Sequence, residues 1–102
     1  MQGEAEEDRY DMRVTREFRI RNRLGLHARA AAQFVRLASR FSSDVTVTKD
    51  GYEVNGKSIL GLLSLAAVKG TTIVVTIDGD DAEEALSEVE SLIETGFGEG
   101  VE

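Results

Sequence analysis

The chain has 102 residues, 41% of them hydrophobic, enough for one real core and not for two. Its formal charge of −7 argues against a general nucleic-acid binder, and the lack of cysteine excludes disulfide frameworks and thiolate zinc sites. No apolar run approaches the ~20 residues that span a bilayer, and the acidic N-terminus lacks the layout of a secretion signal, so a cytoplasmic protein with no membrane insertion is expected.

Charge is unevenly placed. Residues 1–12 hold five acids against Arg9, residues 13–40 hold eight arginines against Glu17, and from residue 41 three lysines face thirteen acids. The arginine-rich third contains the only histidine, His27. A positive field there would attract acidic partner surfaces and stabilise a bound anion. The alternative for Arg13, Arg19 and Arg21 is the solvent face of a strand.

Residues 1–11 read as a disordered acidic tail, and Met12, where patterning begins, is a candidate translation start. Val14, Phe18 and Ile20 fall on alternate positions, the period of a half-buried strand. Gly25 ends that segment. A helix is expected from about Ala28 to Arg40, with Ala31, Phe34, Val35, Ala38 and Phe41 on one face. Asp44 to Thr48 reads as a strand, followed by a tight Asp50-Gly51 turn and a short partner strand over Tyr52 to Val54. Ser58, a strong N-cap residue, opens a short helix through about Leu65.

Thr71 to Ile77 is β-branched and reads as the last strand. The final helix is expected over about 81–95, opened by a capping box of Asp80 and Glu83 and closed by Gly96. Its apolar stripe is Ala82, Ala85, Leu86, Val89, Leu92 and Ile93. Gly96 to Glu102 reads as a short tail, with the domain spanning 12–98 and residues 99–102 beyond it. The order β-α-β-β-α-β-α predicts an α+β domain: a four-stranded antiparallel sheet with three helices on one face.

Two motifs carry chemistry. In Gly25-Leu-His-Ala-Arg29, an extended segment turns into a helix at His27. The free N–H groups of Ala28 and Arg29 and the positive end of the helix dipole would meet an imidazole there. The Arg29 guanidinium could add a charge-assisted hydrogen bond to phosphate. A histidine is largely neutral near pH 7 and can act as a nucleophile. An ordinary exposed histidine at a helix start is the competing reading. A lone histidine with no nearby carboxylate pattern makes no zinc site, so no metal and no cofactor are expected.

The second motif is Asn55-Gly-Lys-Ser-Ile-Leu-Gly-Leu-Leu-Ser-Leu65. A two-turn helix cannot bury all of Ile59, Leu60, Leu62, Leu63 and Leu65 on one side. Leu62 and Leu65 are expected to face the core. Ile59, Leu60 and Leu63 would then project as a patch of the kind that marks a partner surface, the alternative being that most of the five are core.

Together with Lys69-Gly70 before the last strand, these segments resemble HPr, the histidine-containing phosphocarrier of the phosphoenolpyruvate-dependent phosphotransferase system. The resemblance covers about residues 12–98, and the ending Thr95-Gly-Phe-Gly-Glu99 is similar to the nitrogen-related branch of the family. It implies an open-faced β-sandwich in which His27 is phosphorylated at Nδ1 by the first enzyme of the system and passes the group to the histidine of an acceptor, IIA-type protein. Arg29 would assist both transfers, and Ser58 would match the serine modified by a dedicated kinase and phosphorylase in some members. Ile59, Leu60 and Leu63 would match the docking patch. A monomer without independent turnover is implied.

The family usually has proline directly after the arginine, where this chain has Ala30. Alanine suits a helix's first turn, so the helix is expected to survive while the positioning of Arg29 differs. Two other readings are a regulatory docking module of the same fold switched through Ser58, and a small-ligand-binding α/β domain with the apolar patch as a pocket wall.

Overall fold

The alternation of Phe18 and Ile20, both buried, with exposed Arg19 is the pattern of a strand with one face on a core. The structure, a computed structural model, describes residues 12–100, so the acidic segment expected over residues 1–11 lies outside the described residues. Within it, strand β1 spans Arg13–Arg19, helix α1 Ala28–Ala38, β2 Asp44–Lys49, β3 Tyr52–Asn55, α2 Ile59–Ser64, β4 Thr72–Asp78 and α3 Ala82–Glu94. The strands form one sheet in the order β1-β4-β2-β3, every pair antiparallel. This is the four-stranded, three-helix α+β open-faced sandwich expected from the sequence.

One face of the sheet supplies Val45, Val47, Ile73, Val75 and Ile77, all buried. The helices close over it with Ala30, Ala31, Phe34 and Ala38 of α1, Leu62 of α2, and Ala82, Ala85, Leu86, Val89 and Ile93 of α3. Burying a side chain such as Phe34 is worth about 1.5–3 kcal/mol. The other face is polar, and there the hydroxyls of Thr15 and Thr76 lie 3.2 Å apart between β1 and β4. The hairpin β2–β3 pairs Lys49 with Tyr52, leaving Asp50 and Gly51 as a two-residue loop at φ 52° and 82°. Positive φ at both positions is what the Asp-Gly signal supplies.

Three details differ from the sequence reading. Helix α1 stops at Ala38, and residues 39 and 40 form a turn instead of continuing the helix to Arg40. The Asp80–Glu83 capping box does not form. Asp81 is the N-cap of α3 and makes no side-chain cap bond to its own helix. Its carboxylate turns instead to the α1–β2 turn, accepting the N–H of Ser42 at 2.9 Å and of Ser43 at 3.1 Å, and the Ser43 hydroxyl at 2.5 Å. The N–H and hydroxyl donors of two distant serines outcompete the local cap. The third difference is the C-terminal segment, which is not a free tail: Phe97 is fully buried.

The hydroxyl of Ser43, followed by the Ser42 N–H, holds the Asp81 carboxyl below its ordinary value of 3.8. A carboxyl depressed on folding stabilises the protein above its unfolded pKa, and that contribution is lost as pH falls through the folded pKa. Asp81→Asn should therefore lower the melting temperature at pH 7 and flatten its decline as the pH is lowered below about 4. Thermal melts over that range check this, and parallel acid declines in the two proteins would remove Asp81 from the acid response.

Candidate functional site

The approach to α1 is set by Gly25. Its φ is +70°, and a Cβ there would lie 2.6 Å from the Ala67 carbonyl oxygen and 2.9 Å from the Val68 Cα. Only a glycine lets the two backbones come this close. The Leu26 N–H donates to the Ala67 carbonyl at 2.8 Å, and Ile20 bonds both Thr71 and Gly70 a few residues away. The α2–β4 loop thus clamps the segment that delivers His27.

His27 is the N-cap of α1, with extended backbone at φ −81° and ψ −177°, and its carbonyl accepts the Ala31 N–H at 2.8 Å. Its side chain does what Ser or Asp does at other caps: Nδ1 accepts the Arg29 N–H at 3.3 Å. The ring is half-buried, while Ala28 and Arg29 are exposed. Ala30, in the place where proline was expected, is fully buried in the first turn, and the helix runs on through it.

The other ring nitrogen has a partner that sequence reasoning missed. His27 Nε2 lies 2.5 Å from Glu99 Oε2. Glu99 Oε1 in turn accepts from the Asn22 amide at 3.0 Å, and the same amide donates to the Gly25 carbonyl at 2.8 Å. By sequence Glu99 belongs to the tail. The available signal was Gly96-Phe97-Gly98, a run in which glycines flank an aromatic residue. All three residues have positive φ, at 68°, 56° and 80°. Gly96 closes α3 as the sequence suggested. The Phe97 N–H bonds the Leu92 carbonyl and the Gly96 N–H the Ile93 carbonyl, the two bonds of a Schellman motif. The continuing left-handed turn brings the chain back to α1.

Burial opposes the charge on Glu99. The hydrogen bonds from Asn22 and His27, with the charge of Arg29 and the charge His27 carries when protonated, outweigh it and hold the carboxyl below its ordinary 4.5. The arginine field is more dispersed than the sequence suggested. Arg16 pairs with Glu90 and Arg21 with Glu94 on α3, and Arg13 with Asp78, leaving Arg29 as the guanidinium at the start of α1.

Ser58 is the N-cap of α2, its hydroxyl accepting the Gly61 N–H at 3.0 Å. Beyond it, Ile59 and Leu60 are exposed, Leu60 at 79%, while Leu62 and Leu65 are buried as expected. Leu63 is divided between the two roles, half-buried and packed against the core. Leu24 and Val68, exposed at the Gly25 clamp, were not anticipated as part of an apolar surface. Among the described residues no group of acids and histidine is arranged to hold a metal, and no helix is long and apolar enough to cross a membrane.

Comparison with known proteins agrees with this geometry. Residues 14–95 match the PTS-HPr family, described as the PTS HPr component phosphorylation site. The phosphocarrier protein HPr of Neisseria meningitidis serogroup A is 54% identical over 81 residues, 79% of this chain and 91% of that protein. The HPr-like protein Crh of Bacillus subtilis is 44% identical over 79% of this chain and 95% of its own length. The crystal structure of HPr-C-His from Thermoanaerobacter tengcongensis superposes with a TM-score of 0.83 at 45% identity, covering 86% of this chain and 99% of that one. The fold and sequence define a small phosphocarrier of the phosphotransferase system. The chain belongs to the HPr family.

Gly25→Ala should cost about 2 kcal/mol or more, because a Cβ is disfavoured at positive φ and collides here with backbone. Urea unfolding of the variant measures it. A loss below 0.5 kcal/mol, the scale of a neutral surface change, would show that the clamp adjusts.

Proposed function

We propose that His27 is the phosphoryl acceptor and that transfer takes place at Nδ1. The observation that carries this reading is the position of His27 as the cap of α1, with Nδ1 against the Arg29 N–H. A phosphoryl group on Nδ1 would take over that N–H, gain the Ala28 N–H beside it, and meet the Arg29 guanidinium. Each interaction of an anion with a helix N-terminus is worth about 0.3–1 kcal/mol when exposed. That is enough to hold the group and too little to trap it, as a relay requires.

In this reading the first enzyme of the phosphotransferase system charges His27 with phosphate from phosphoenolpyruvate. An IIA-type protein then accepts it on its own histidine. Ile59, Leu60 and the outer edge of Leu63 form the docking surface for both. The protein works as a cytoplasmic monomer and needs no cofactor. Ser58 is the regulatory position: a serine kinase would add about −1.5 to −2 charge beside Ile59 and Leu60, and a phosphorylase would remove it. The charge suits the start of α2 but opposes docking on an apolar patch. The similarity to Crh and the placement of Ser58 favour a second reading, a docking module of the same fold switched at Ser58.

Labelled phosphoenolpyruvate with a first enzyme of the system should label the wild type and leave His27→Ala unlabelled. The label should be acid-labile and stable in base. Equal labelling of the two proteins would overturn the assignment.

Leu60→Glu tests the docking surface. It should raise the KM for the carrier in transfer severalfold while stability stays within about 0.5 kcal/mol, as for other surface changes. An unchanged KM would place docking elsewhere.

A further inference from the structure

We infer that Glu99, held by Asn22, is a positioning residue that keeps His27 in the tautomer with hydrogen on Nε2 and the lone pair on Nδ1. The inference rests on the phosphoryl-acceptor reading of His27 and assigns a task to a residue outside the helix that carries the histidine.

Two contacts demand the same tautomer. Nδ1 faces a backbone N–H, which only donates, so it must present its lone pair. Nε2 faces a carboxylate oxygen, which when ionised only accepts, so it must carry the hydrogen. In a neutral histidine the hydrogen bond at one nitrogen decides the role of the other. The Glu99 side chain is 20% exposed and that of His27 28%, so the contact is partly shielded from water.

The Asn22 amide fixes the carboxylate. Asn22 is fully buried, and its nitrogen faces two acceptors, the Gly25 carbonyl and Glu99 Oε1. A flipped amide would set oxygen against oxygen at both. The orientation leaves Asn22 Oδ1 buried with no partner among the described residues. Leaving a buried acceptor unmatched is destabilising, a cost accepted here in favour of aiming the amide at the carboxylate.

The chemistry then balances without proton movement at the ring. In charging, the Nδ1 lone pair forms the N–P bond while the bond from phosphorus to the donor's leaving atom breaks, its electron pair staying with the donor. The ring becomes positively charged with Nε2–H still in place, and the Glu99 carboxylate faces that charge. In discharge the N–P pair returns to Nδ1 as the acceptor's nitrogen bonds phosphorus, and the ring is neutral again. With hydrogen on Nδ1 instead, a proton would have to leave before the attack. Glu99 touches neither phosphate nor partner in this scheme and acts through the ring.

The test uses the full chain with His27 labelled with nitrogen-15, together with Glu99→Ala and Glu99→Gln. Expected are a protonated Nε2 and an unprotonated Nδ1 in the wild type, and a population with hydrogen on Nδ1 in Glu99→Ala. Single-turnover transfer should slow roughly tenfold in Glu99→Ala, as when other carboxylates that orient a histidine are removed, with KM for the carrier unchanged. Glu99→Gln, which keeps an acceptor without the charge, should fall between. Wild-type spectra and rates in Glu99→Ala would overturn the inference while leaving His27 as the carrier residue. Failure of the wild type itself to take label would instead overturn the carrier reading. A thermal melt of each variant separates either result from a folding defect, and a folded Glu99→Ala with a raised KM and wild-type tautomer would assign Glu99 to docking.

Discussion

The contact between Gly25 and the backbone of Ala67 and Val68 is the constraint on which the site depends. It joins two segments that are distant in sequence, the approach to α1 and the loop from α2 to β4. Once Gly25 is pressed there and Leu26 N–H is bonded to Ala67, the chain has one direction in which to start its helix, and His27 is left at the cap. A histidine proposed to meet a phosphoryl donor and then an acceptor must be held this closely, because a small misplacement of a reacting group costs rate.

The fold was legible because it is written in periods. Val45 and Val47, Ile73, Val75 and Ile77, and the stripes of α1 and α3 repeat at spacings that allow one interpretation. His27 and Ser58 were legible as caps because their residue types and the patterned runs after them mark a helix start. Asp81 and Glu99 were not legible. Locally, Asp81 reads as the first residue of the last helix beside an Asp80–Glu83 capping box and Glu99 as part of a tail, yet each is recruited over a long sequence distance by donors that no local pattern reveals. Leu63 failed to sort cleanly for a different reason: on a helix of six residues, a position at the edge of the buried stripe is neither inside nor outside.

Electrostatics follows the same division between local and distant. Counting charges along the chain places eight arginines in the third that contains His27. The fold then sets Arg16 and Arg21 against acids of α3, whose own sequence distance hid the pairing. Such exposed pairs are worth only about 0–1 kcal/mol each, so they matter less for stability than for where free charge remains. Arg29 is among the arginines that these pairs leave, and it stands where an anion on His27 would be. Its neighbour Glu99 then has a double effect. It is an opposite charge to both Arg29 and a charged imidazole, yet a like charge to a phosphoryl group.

That conflict is resolved by geometry. Glu99 approaches the ring from Nε2 and the Arg29 N–H approaches from Nδ1, so the imidazole itself stands between the carboxylate and the position proposed for the phosphate. Reaching that side of the ring from the end of α3 requires a reversal tighter than right-handed backbone allows, and the chain makes it with Gly96, Phe97 and Gly98 in succession at positive φ. For Phe97 this conformation costs roughly 1–2 kcal/mol. Complete burial of its ring is of a size to offset that, since burying such a side chain is worth about 1.5–3 kcal/mol. The core thus bears the strain of the turn, and the glycines on either side leave the backbone free to aim the carboxylate. A segment that contributes no strand and no helix is in this way tied to the core at one residue and to the histidine two residues later.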